Sequence, residues 1–150
     1  MATLQDWFDA RIPSGWFRGS VEVIADRDEI LVIGQLDDVT PRHFREATRD
    51  ERVAIATTAE AAFGRKVSWA VEVDDEVVRF TSLSVPVMSR LRVEERLVLD
   101  QLIDGGIARS RSEALAWCVR LVGANEGQWL GELREAAAHL AEVRGRGPST

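Results

Sequence analysis

Ile107-Ala-Arg-Ser-Arg-Ser-Glu-Ala-Leu115 is the stretch on which the reading of this chain turns. Ser110 is a good helix N-cap, and Glu113 three residues later completes a capping box, so a helix is predicted over 110–122. Upstream, Val93-Glu-Glu-Arg-Leu-Val-Leu-Asp-Gln-Leu-Ile-Asp104 carries helical periodicity and is stopped by Gly105-Gly106. Before it, Val85-Pro-Val-Met-Ser-Arg-Leu-Arg92 reads as a short strand. Alternation puts Val85, Val87, Ser89 and Leu91 on one side and Pro86, Met88, Arg90 and Arg92 on the other. The order is strand, helix, glycine turn, capped helix.

The chain before this stretch has different patterning. Residues 2–10 predict a short helix with Leu4, Trp7 and Phe8 on one face, and Trp16 and Phe17 follow a turn at Ile12–Gly15. These aromatics are expected to plug a small core. Val21–Ala25 and Ile30–Leu36 predict a hairpin through the polar turn Asp26–Glu29. Thr40 and Pro41 suit the N-cap and first turn of one long helix to Phe63, ended by Gly64, with Phe44, Ala47, Ile55, Thr58 and Ala62 on its apolar face. Val67–Val73 alternates and is expected to pair with 77–81 through Asp74-Asp-Glu76. The predicted fold class is α+β: an N-terminal hairpin-helix-hairpin (ββαββ) sheet with one long helix, then the strand-helix-helix unit, then a C-terminal helix.

That last helix is expected over Gln128–Arg144, with the apolar stripe Trp129, Leu133, Ala136, Ala137 and Leu140. Gly123–Gly127 is expected to separate it from the helix before, and Arg144–Thr150 to be a flexible tail. One of its stripe or the N-terminal half is expected to cover Trp117, and Cys118 to be a small buried hydrophobe. The domain division so read is 1–81, 82–124 and 125–150.

The chain has 150 residues, 45% of them hydrophobic and 29% charged, ordinary globular values. Its apolar runs are too short to span a bilayer, and the acidic N-terminus lacks the pattern of a secretory signal. With one cysteine and no internal disulfide, a cytoplasmic location is expected. Net charge is −6, an unhelpful balance for a nucleic-acid protein, but its distribution is uneven. Residues 1–81 hold ten basic and sixteen acidic side chains, whereas 82–150 hold nine of each. Arg42, Arg45, Arg49 and Arg52 are expected on one face of the long helix, turned away from Phe44 and Ile55. That stripe is either a second basic surface for phosphate or a solvated face neutralised by Glu46 and Asp50.

Signs of catalysis are thin. His43 and His139 are far apart and share no metal-ligand spacing with Cys118 or a carboxylate pair. No phosphate loop, dinucleotide fingerprint, HExxH or GxSxG is present. No enzyme activity, cofactor or metal is expected.

The stretch 83–122 resembles the ribbon-helix-helix family of DNA-binding proteins, on the strand ending at Leu91, the core spacing Leu99, Leu102 and Ile103, the Asp104-Gly105-Gly106 turn and the capped Arg109–Leu115 segment. The resemblance implies that two chains pair one strand each into a ribbon that enters the major groove. It implies base reading by Met88, Arg90 and Arg92, and phosphate binding by Arg109, Ser110, Arg111 and Ser112 at the helix N-terminus. The expected function is a dimeric bacterial transcriptional regulator on double-stranded DNA, with a possible protein partner for the N-terminal half and no membrane association. The alternatives are a dimeric protein-binding module such as an antitoxin or adaptor, and an RNA- or ribosome-binding protein using the Arg42–Arg52 stripe.

Overall fold

Two β-hairpins and the helices between them form the first half of a computed structural model that describes residues 2–81 and 83–148. The chain divides into two units, Met1–Val87 and Met88–Thr150. In the first, β1 (Glu22–Ala25) pairs antiparallel with β2 (Glu29–Gln35), and β3 (Lys66–Val73) pairs antiparallel with β4 (Glu76–Arg79). The hairpins join through a parallel β2–β3 pair, giving the order β1-β2-β3-β4. A parallel pair needs a crossover, which the helices between β2 and β3 supply.

Those helices are two, not the single one expected. α2 (Pro41–Ala47) ends and α3 (Arg49–Phe63) begins around Thr48, whose backbone leaves helical geometry at φ −109°, ψ 5°. The Thr48 hydroxyl donates to the Phe44 carbonyl at 2.6 Å, a local bond that competes with regular helix. The buried face also differs from the one expected. Phe44 and Ala59 are buried and Ile55 is half-buried, but Ala47, Thr58 and Ala62, expected on that face, are exposed. Gly64 ends α3 in the left-handed region at φ 66°, as its position implied.

α1 (Leu4–Arg11) is held by a reciprocal cap in which Thr3 Oγ1 accepts from Asp6 N–H and Asp6 accepts from Thr3 N–H. It delivers Phe8, fully buried, edge-on to Trp69 at 6.3 Å. Trp16 and Phe17 both pack on Phe44, at 5.6 and 5.0 Å between ring centres, so the N-terminal aromatics do plug the core. Phe17 lies directly against Gly34 of β2, where any Cβ would collide with its ring. Gly34→Val should therefore cost roughly 1–3 kcal/mol by overpacking, read as a lower urea midpoint with an unchanged slope.

In the second unit, α4 (Val93–Asp104) packs on α5 (Arg111–Asn125). Its core is small: Leu99, Ala108 and Ala114 are buried, with Leu91, Leu102, Ile103, Leu115 and Cys118 partly buried around them. The turn between the helices needs Gly106, which sits at φ 81°. There the Ile107 and Ala108 N–H groups both donate to the Leu102 carbonyl. The break expected over Gly123–Gly127 is confined to Glu126: α5 runs through Gly123, and α6 (Gly127–Arg146) starts at once. A helical glycine costs only about 1 kcal/mol, too little to stop a helix by itself. Gly145 and Arg146, expected in the tail, are helical, and the expected tail end at Ser149 and Thr150 lies outside the described residues. Trp117 is half-buried, while α6 buries none of its own residues. Among the described residues, no helix is long and apolar enough to cross a membrane.

Candidate nucleic-acid interface

Among the described residues, 83–92 have no strand partner. The strand expected over Val85–Arg92 is therefore not formed in the chain described. Val85 and Val87, expected to face inward, are 42% and 87% exposed, and Met88 is 94% exposed. Only Leu91 is drawn in, packing on the Leu99, Ala108 and Ala114 cluster. Arg90 and Arg92 are exposed. The corner from this segment into α4 is fixed by two contacts. Glu95 accepts from the Arg92 N–H at 2.9 Å, and the half-buried Arg96 donates to the Leu91 carbonyl. Arg96 escaped the sequence reading because it sits inside a helix, where an arginine ordinarily marks the solvated face.

The turn before α5 is capped as its residues foretold, with one change of partner. Ser110 Oγ accepts from Glu113 N–H at 3.1 Å, but the Glu113 carboxylate accepts from Arg109 N–H at 3.0 Å rather than from Ser110. Arg109, Ser110 and Ser112 are exposed at this N-terminus. There unpaired N–H groups and the helix dipole favour an anion. Arg111 stands apart: its Nε and Nη2 both donate to the Asp100 carboxylate at 2.9 Å, a fork joining α4 to α5. These hydrogen bonds hold the Asp100 carboxyl below its ordinary range and raise the Arg111 guanidinium above its own. Because the folded-state pKa of Asp100 is depressed, its contribution is complete above the ordinary carboxylate range and lost as pH falls through the depressed value. Asp100→Asn should accordingly flatten the acid side of a melting-temperature profile and leave the alkaline side parallel to wild type.

The arginine stripe of the first unit is not one solvated face. Arg42, Arg45 and Arg49 are exposed, and Arg42 pairs with Glu46 at 3.3 Å. Arg52 is buried, only 7% exposed, contrary to the expectation that it shared an outward face. Arg52 sits at the edge of the stripe nearest the apolar face, and its side chain folds back along the helix to Thr48 and the Arg45 carbonyl beside the Phe80 ring. Burial first, then the charges of Arg45 and Arg49, lower the pKa of the Arg52 guanidinium. Among the described residues no group of three or more His, Cys, Asp and Glu side chains is placed to hold a metal ion. His139 lies 3.9 Å from Glu142 on exposed α6.

Comparison with known proteins follows the same division of the chain. Residues 92–144 match the family described as the Mb1296 C-terminal domain. Residues 2–43 and 38–79 match the family described as the N-terminal domain of Rv1265-like protein. Over 156 residues the chain is 47% identical to uncharacterized protein Mb1296 of Mycobacterium bovis, covering 95% of this chain and 69% of that protein. The same figures hold for uncharacterized protein Rv1265 of Mycobacterium tuberculosis. No solved structure matches the chain.

Proposed function

This chain belongs to the Rv1265-like family, and from the geometry of its strand-helix-helix segment we propose that it is a dimeric, sequence-specific DNA-binding protein of the ribbon-helix-helix type, acting as a bacterial transcriptional regulator. The observation that carries the reading is segment 83–92, without a strand partner among the described residues and with Val85, Val87 and Met88 exposed, followed by the packed α4–α5 pair. A second copy supplies the missing strand. Pro86 has no N–H to donate, so its N–H side faces away from the partner strand. Met88, Arg90 and Arg92 then face the DNA: Arg90 forks onto the guanine edge, and Arg92, at the corner into α4, reaches a base or the adjacent phosphate. Arg109, Ser110 and Ser112 hold the flanking phosphates, and Arg111 orients α5 through Asp100.

The small core of the second unit supports a dimer. Leu97, Val98, Ile107, Val119, Leu121 and Val122 are each about half exposed or more, an apolar surface of the kind that marks an interface. On α6, Trp129, Leu133, Ala136, Leu140 and Val143 recur in alternate steps of four and three residues, the spacing of helices that pair. Sedimentation velocity is expected to show a dimer down to the lowest concentrations read.

Salt dependence separates this function from its competitor, a dimeric protein-binding module, which the withdrawal of Arg111 into an ion pair favours. Two phosphate-contacting arginines per protomer, Arg92 and Arg109, should give a slope of about −4 in log affinity for duplex DNA against log salt. A flat dependence, or no duplex binding at low salt, sinks the DNA reading.

A further inference from the structure

We infer that the helix break in the first unit forms a binding pocket for a small phosphomonoester, held by Arg45, Arg49 and Arg52. This pocket rests on residues of the first unit alone and is independent of the DNA proposal.

Arg52 forms the floor of a cavity of about 630 Å³, 7% exposed and with its donors only partly used. Its Nε donates to Thr48 Oγ1 at 2.9 Å and its Nη2 to the Arg45 carbonyl at 2.7 Å. Both acceptors are neutral. Among the described residues Arg52 has no carboxylate partner, and neither do Arg45 and Arg49. The Phe80 ring, 4.9 Å from the Arg52 guanidinium carbon and 5.7 Å from that of Arg45, gives a modest cation–π attraction. It does not neutralise a buried charge flanked by like charges. Burying an unpaired cation is costly, and an anion entering the cavity offsets that cost.

Charge and shape select the anion. Arg42 and Glu46 also line the cavity and pair with each other at 3.3 Å, so Arg45, Arg49 and Arg52 are left without a carboxylate partner; three such guanidinium groups call for more than one negative charge, and the fork of each matches phosphate oxygens. A phosphomonoester has a second pKa near 6, so it is a dianion at neutral pH, with three oxygens free to reach inward. A backbone phosphodiester carries one charge and two substituents, so it can lie along the rim but not reach Arg52. The cavity exceeds the size of a phosphate, and Val53 and Thr81 wall the remainder, leaving space for a small organic group.

The test is thermal unfolding of the full chain at about pH 8 in inorganic phosphate or glycerol 2-phosphate, against chloride at matched ionic strength. At a hundredfold excess over the dissociation constant, either phosphate should raise the midpoint by about 5–10 °C. Arg45→Ala and Arg49→Ala alter exposed side chains, keep the fold in chloride, and should each lose most of that shift. Arg52→Lys keeps the charge but loses the fork and should weaken the response; because Arg52 also bonds Thr48 at the helix break, the two rim variants carry the decision. The pocket is refuted by equal midpoints of wild type in phosphate and chloride, or by an undiminished shift in both rim variants. It is equally refuted if an oligonucleotide without terminal phosphates gives the Arg49-dependent shift and free phosphate does not, an outcome that makes the cluster a nucleic-acid surface.

Discussion

Changing Arg90 and Arg92 together to alanine is expected to reduce affinity for a selected DNA site at least a hundredfold, with little change in stability. Both side chains are exposed, and neither donates a side-chain hydrogen bond within the chain among the described residues. Their loss therefore opens no cavity and orphans no partner. A bidentate contact to a base is worth roughly 1–3 kcal/mol, and a twofold dimer makes each contact twice. Losing the pair from Arg90 alone then removes about 2–6 kcal/mol. Arg92 should act differently on its own. Its position at the start of α4 suits phosphate as well as bases, so Arg92→Ala should weaken binding on all sequences and flatten the salt slope by about 2, one phosphate per protomer. Arg90→Ala should relax sequence preference and leave that slope nearly unchanged. Fluorescence anisotropy over a salt series, on selected and scrambled duplexes, reads both effects.

The second large effect is expected from Val87→Asp. Val87 is 87% exposed in the single chain, where an aspartate is tolerated with almost no change in the fold of one molecule. In the dimer proposed above, it faces the symmetry-related strand. Two carboxylates would then meet inside an apolar ribbon, which costs several kcal/mol in desolvation and repulsion. Sedimentation velocity should show monomer at concentrations where wild type is dimeric, and DNA binding should fall with it. A variant that stays dimeric with wild-type affinity removes the ribbon from the interface.

Local signals were the legible ones. Ser110 with Glu113, Gly64 after Phe63 and Thr40 before Pro41 each marked a helix end, because a cap is decided by a few neighbouring residues. The aromatic pairs Trp7–Phe8 and Trp16–Phe17 signalled a core because so much apolar area cannot stay in water. The break at Thr48 was not legible. A threonine flanked by good helix formers serves equally inside a helix or at a break, and the choice here is made by its bonds to Phe44 and Arg52. The buried face runs through Phe44, Thr48, Arg52 and Ala59, to one side of the line drawn through Ala47, Thr58 and Ala62. The parallel pairing of β2 with β3 was equally hidden, since alternation fixes which face a residue takes but not which strand lies beside it.

Within the proposed interface, the helix-start positions were legible and the internal pairings were not. Arg109 and Ser112 lie at the surface where the helix start put them; Arg90 and Arg92 are exposed too, but so are Val85, Val87 and Ser89, so exposure does not distinguish the two sides of that segment. The Arg111–Asp100 fork joins residues eleven apart across the glycine turn, and no spacing rule within a single helix reveals it. Arg96 closes on Leu91 in the same way, across the start of α4. Both arginines tie one segment of the second unit to the next.

The central claim, a dimer whose ribbon reads DNA, is tested most directly by enriching fragments of the source genome on the purified protein at moderate salt, beside the Arg90→Ala, Arg92→Ala variant. The account predicts that wild type selects a small set of sites carrying a repeated half-site and that the variant loses them. Enrichment no better than random, or the same sites retained by the variant, would contradict it.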